Sequence, residues 1–186
     1  AHSGLRVRNK DWSQTVKVPR NDIEDDRIGG YGIMFEALGA EASRDAFWLD
    51  LLIETLNSPP VWADEAAFFS DTRQYGDSVV NNIVDAALNR ANFKAATARM
   101  IAFQGAQGHA LNVSPYMLLC GPTAFWAAKE LMESETIIES GSSVSNDVRG
   151  MCVPRFHASL GANDWYLLGI QGAYRPLAAQ VRKEGN

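Results

Sequence analysis

The chain has 186 residues, of which 46% are hydrophobic and 21% charged, with only 7 Pro and 15 Gly; this composition excludes a disordered or collagen-like chain and gives one domain, or one domain with a lobe. No apolar run approaches the roughly 20 residues that span a bilayer, and Ala1-His2-Ser3-Gly4 has neither the basic region nor the apolar stretch of a secretory leader, so a cytoplasmic history is expected. The net charge of −5 hides an asymmetry: residues 1–20 hold five Lys/Arg against one acid, residues 21–86 three against fourteen, and residues 87–186 nine against seven.

In chain order, Ser13-Gln14-Thr15-Val16-Lys17-Val18 alternates polar with β-branched residues and predicts a strand, stopped by Pro19. Asn21 or Asp22 then caps a short helical turn, with Glu24, Asp25 and Asp26 where acids favour a helix start. Gly29-Gly30-Tyr31-Gly32 is expected to break it. From Tyr31 to Leu56 the steps of three or four between Phe35, Leu38, Ala42, Ala46, Leu49, Ile53 and Leu56 predict one long helix, ended by Asn57-Ser58-Pro59-Pro60. Phe47, Trp48 and Leu51 fall off this stripe, so the second half of the helix is expected to pack against two bodies, one of them another subunit.

Residues 57–88 read as irregular, with Trp62, Phe68, Phe69 and Tyr75 spread through turn formers. A helix is predicted over Asn92–Gln104, with Phe93, Ala96, Met100 and Phe103 on one face and a turn at Gly105 to Gly108. Tyr116–Cys120 is a buried strand, and Pro122 opens a helix to about Glu135. Ser140–Ser145 reads as a mobile Gly/Ser-rich loop, followed by strands over Met151–Arg155, Trp165–Ile170 and Leu177–Arg182. One lobe built on the long helix and another on a small sheet with two helices is the α+β architecture these elements favour.

The residues offer little to a catalyst. Cys120 and Cys152 form no C-x-x-C pair, and His2, His109 and His157 have no Cys, Asp or Glu at metal-ligand spacing, so no metal site is expected. The acids Asp22, Glu24, Asp25 and Asp26 lack the spacing and distal Glu of a calcium loop. Gly30-Tyr31-Gly32 continues to Phe35 rather than to a third glycine, and no Walker sequence follows any glycine, which disfavours a nucleotide cofactor. There is no Gly-x-Ser-x-Gly elbow; a small cytoplasmic hydrolase using Cys152, near His157, or a serine is the alternative class. An acidic domain with Arg6, Arg8 and Lys10 as its small basic cluster is a poor reader of nucleic acid.

Several uncommon strings occur in one order: Asn9-Lys10-Asp11-Trp12, Val16-Lys17-Val18-Pro19-Arg20-Asn21-Asp22-Ile23-Glu24-Asp25-Asp26, Tyr31-Gly32 and Phe35-Glu36-Ala37-Leu38-Gly39, then Phe68-Phe69-Ser70-Asp71-Thr72, Ala91-Asn92-Phe93-Lys94-Ala95-Ala96, Gln107-Gly108 with Leu111, and Trp165-Tyr166-Leu167-Leu168 with Arg175-Pro176. In these blocks, spread over residues 5–183, the chain resembles the Mu-like prophage major head subunit gpT family.

That resemblance implies a tailed-phage major capsid protein of the Hong Kong 97-type fold: residues 1–20 as the returning strand of an extended loop, 21–78 as a peripheral domain with the spine helix and a linker, and 79–186 as an axial domain with a small mixed sheet and flanking helices, its end returning toward the peripheral domain. It implies no catalytic activity and no cofactor. The implied function is self-assembly into hexamers and pentamers of an icosahedral shell that encloses phage DNA, formed in the bacterial host cytoplasm and ending in the virion, with no membrane partner. Scaffold, protease, portal and decoration proteins are further implied partners, and DNA is held without sequence-specific binding. An encapsulin-like compartment shell is the alternative within the same fold. The family's N-terminal arm, outgoing loop strand and last strand-rich segment have no counterpart here, so a truncated core of the subunit is expected. Charge and patterning then nominate inter-subunit contacts: Arg6, Arg8, Lys10 and Lys17 against acidic surface of a neighbour, including the helix carrying Glu36 and Glu54, and Phe47 and Trp48 for apolar burial.

Overall fold

A computed structural model describes residues 15, 17–24, 29–43, 45–59, 67–76, 78–105, 107–139, 141–170 and 177. Their elements are α1 (Arg20–Glu24), α2 (Gly30–Ser43), α3 (Asp45–Asn57), β1 (Arg73–Tyr75), β2 (Ser78–Val80), α4 (Arg90–Ile101), β3 (Ser114–Cys120), α5 (Ala124–Glu133), β4 (Thr136–Glu139), β5 (Ser142–Ser145), β6 (Val153–Phe156) and β7 (Trp165–Ile170). The chain is mixed α+β, as the patterning predicts.

β3 organises the larger sheet. It lies in the middle of the order β6-β3-β7, parallel to β6 and antiparallel to β7. Side chains alternate across a strand, so an apolar run with no polar alternation feeds two cores at once. Leu118 and Cys120 enter the core that α4 and α5 supply through Phe93, Ala124, Ala128, Leu131 and Met132. Leu119 enters a second core with Ile53 and Leu56 of α3 and with Leu160. The turn from β3 into α5 passes so close to the neighbouring loop that a Cβ on Gly121 would run into the Gly161 carbonyl, and the Gly121 N–H donates to Asp164 O at 2.8 Å. Glycine is required there by approach rather than by dihedral angle.

The predicted long helix is helical across its described residues, as α2 and α3 on either side of Arg44. It starts at Gly30, one residue before the expected Tyr31; Gly29, at φ +69°, takes the left-handed turn and its carbonyl accepts from Gly32 N–H at 3.1 Å. At the other end Ser58 N–H reaches Glu54 O at 2.9 Å and Pro59 follows. The apolar stripe is covered unevenly. Ile53 and Leu56 are buried, whereas Phe35 is 50% exposed and Leu49 46%; Ile33, off the stripe, is 67% exposed.

Other expectations are corrected. Residues 15, 17 and 18 carry no strand, because no described segment pairs with them; the rest of the predicted 13–18 strand lies outside the described residues. α1 begins at Arg20, ahead of the expected caps Asn21 and Asp22, and Arg20 Nε bonds Glu24 Oε1 across its single turn at 2.9 Å. The expected irregular stretch 57–88 contains the hairpin β1–β2, with Gly76 at φ +62° in its turn. α4 starts earlier than Asn92, because Asn89 caps it: its Oδ1 accepts from Asn92 N–H at 2.9 Å; at its other end the helix stops at Ile101, before Gln104.

Of the predicted mobile loop Ser140–Ser145, residues 142–145 form the strand β5, while Ser140 lies outside the described residues. β4 and β5 pair from Thr136↔Ser145 to Glu139↔Ser142, and Gly141 at φ +78° makes the tight turn. Ile137 is buried and Val144 packs against the same core, which holds the hairpin down despite its serines; Ile138, on the opposite face, is 80% exposed. The predicted strand at 151–155 is displaced to β6, beyond a left-handed Gly150 at φ +72°. Of the predicted strand 177–182, Leu177 has no regular structure but packs against the second core, and the remainder lies outside the described residues. Among the described residues β6 lies at the edge of its sheet, and it carries Pro154.

Candidate functional site

The nominated contact residues are placed unequally. Arg6, Arg8 and Lys10 lie outside the described residues, Lys17 is exposed, and Phe47 and Trp48 lie within α3, their side chains outside what is described.

The thiols and His157, which the hydrolase alternative would use, are buried or engaged elsewhere. Cys120 and Cys152 are both free and buried. Burial raises the Cys120 thiol to about 12, reinforced by the neighbouring Cys152, and burial raises Cys152 to about 11. A thiol held protonated at neutral pH is a poor nucleophile. Cys152 Sγ lies 3.4 Å from Met132 Sδ, and His157 turns to other partners: Nε2 meets Asp50 Oδ1 at 3.1 Å, while Nδ1 accepts Ser159 N–H at 3.3 Å. His157 therefore fastens α3 to the loop after β6, and Asn57 adds a second tie, donating to Ser159 O at 2.7 Å. Glu24, from the acidic cluster, pairs with Arg20. Among the described residues no three His, Cys, Asp or Glu side chains converge on a metal position, and no helix is long and apolar enough to cross a membrane.

These thiols make a direct test. Both should resist a soluble thiol reagent at pH 8 and label stoichiometrically in denaturant, read by mass spectrometry. Their raised values also fix a sign: the folded state keeps protons that the unfolded thiols release above about pH 8.5, so stability falls as pH rises beyond that point. Fast labelling of folded protein at pH 8 contradicts this burial.

Polar ties that sequence patterning does not reveal hold the β4–β5 hairpin and the turn after it. Arg90, at the start of α4, forks to Glu139 Oε2 at 2.6 Å and Asp147 Oδ1 at 2.8 Å, and Lys94 also bonds Asp147. Hydrogen bonds from Arg90 and Lys94 hold the Asp147 carboxyl well below the usual carboxylate range. Asn146 is buried; its Nδ2 donates to Leu131 O and Ser134 O, both at 2.8 Å, and its Oδ1 accepts Val148 N–H at 3.2 Å. It thus satisfies two carbonyls at the end of α5.

What remains open is apolar surface. Phe125 and Trp126 on α5 form a contiguous aromatic patch with Phe156 on β6, at ring-centroid separations of 5.9 and 5.0 Å. Trp126 is 69% exposed and Phe156 60%. α2 adds Ile33 and Phe35, and the β1–β2 hairpin adds Val79. A cleft of about 1440 Å³ runs between α3, α4 and β7, lined by Leu52, Phe69, Met100, Phe103 and Leu168. Arg99 at its wall is occupied by Ile83 O, at 2.6 Å, and Asn81 Oδ1.

Two small cores tied by polar staples, with large side chains left bare outside them, make up the described part of this α+β chain. The family comparison names the group. The model of the Mu-like prophage major head subunit gpT family matches residues 1–87 and 80–156, and the chain belongs to that family. The blocks at 165–168 and 175–176 lie beyond the matched residues. The chain is also similar to the Mu-like prophage FluMu major head subunit of Haemophilus influenzae, 33% identical over 89 residues, which is 44% of this chain and 29% of the relative. The chain thus spans less than a third of that relative's length. No solved structure matches it.

Proposed function

We propose that this chain is part of the major head subunit of a Mu-like phage or prophage, a structural protein with no catalytic activity that builds the shell around packaged DNA. The observation that carries the reading is the family match over residues 1–156. The bare apolar side chains on α2, α5 and β6 support it, since a helix with apolar residues around its circumference is stable when neighbours cover it. We further propose the Hong Kong 97-type arrangement, with 1–20 as the returning strand of the extended loop, 21–78 as the peripheral domain around the α2–α3 spine, and 79–186 as the axial domain. Copies then assemble as hexamers and pentamers of an icosahedral shell, formed in the host cytoplasm and retained in the virion. Scaffold, protease, portal and decoration proteins are the further partners of such a shell.

Electron microscopy of the full-length gene product tests this. Closed particles holding DNA are the expected result; particles holding an enzyme cargo indicate the compartment-shell alternative, and persistent monomers overturn both.

Charge assigns a role to the basic arm. Arg6, Arg8, Lys10 and Lys17 face, in the assembly, the acidic stretch of a neighbour that includes Glu36 and Glu54, both exposed. Exposed pairs contribute only about 0–1 kcal/mol each, so they set encounter rate and register while buried apolar groups, with Phe47 and Trp48 proposed among them, supply the strength. Reversing Arg6 and Arg8 to Glu in the full-length subunit should slow assembly several-fold at low salt and little at high salt, followed by light scattering. Identical kinetics at low salt would exclude the arm from the contact.

A further inference from the structure

We draw no further inference here: the strongest candidate, the exposed aromatic patch that Phe125 and Trp126 of α5 form with Phe156 of β6, is an unpartnered apolar face, and nothing in the structure shows what covers it.

Discussion

Replacing Phe93 with alanine is expected to cost about 3–5 kcal/mol of folding stability, the range for truncating a fully buried phenylalanine. Phe93 is completely buried on the inward face of α4, in the core shared by Leu118 and Cys120 of β3 and Ala124, Ala128 and Leu131 of α5. One ring therefore joins two helices to the central strand. Its loss removes transfer free energy and leaves a cavity that three elements in fixed pairing are poorly able to close. Urea denaturation should show a large fall in midpoint with little change in slope. Ile138→Ala is the control: an 80% exposed side chain should move the midpoint by less than a tenth of that amount. Equal shifts for the two variants would mean that Phe93 does not occupy this core.

Asn146→Ala is expected to cost about 2–3 kcal/mol, although it removes fewer atoms. The amide satisfies Leu131 O, Ser134 O and Val148 N–H together, so alanine leaves two carbonyls and one N–H short of a partner in a buried turn. Asn146→Asp separates hydrogen bonding from size: it keeps an acceptor for Val148 N–H but turns oxygen toward both carbonyls, and should be at least as damaging at neutral pH. Thermal unfolding of the two variants beside the parent checks this. Stability in Asn146→Asp equal to the parent would overturn the assignment of the two donated bonds.

The elements legible in the sequence are those whose side chains repeat. The three-to-four spacing from Phe35 to Leu56 marks α2 and α3, and the unbroken apolar run before Cys120 marks the strand that feeds both cores. The β1–β2 hairpin was hidden because three-residue strands are too short to display a period. The Ser140–Ser145 stretch misled for a different reason: its composition suggests mobility, but Ile137 and Val144 outweigh the serines by packing inward. Arg90 could not be singled out, since its partners lie 49 and 57 residues away and their approach exists only in the fold. Family membership was legible through uncommon strings such as Lys17-Val18-Pro19-Arg20-Asn21-Asp22, within the stretch that the family model matches. A surface role leaves a weaker trace. The charge split between the first 20 residues and the next 66 suggests two matching surfaces, whereas nothing in the sequence singles out Trp126 and Phe156, whose exposure is seen only in the fold.

Pro154 has a consequence for the exposed edge of β6. An open strand edge invites any extended segment to join it, and the proposed role in a shell would bring identical edges together. β6 has four residues, and one of them has no N–H to offer, so a visiting strand finds a gap in the row of donors it would need. Val153 and Phe156, both exposed, lie on the strand that carries this gap. In the proposed shell, such an edge would favour meeting through side chains, whose shapes tell right neighbours from wrong ones, over meeting through the backbone, which is the same in every protein.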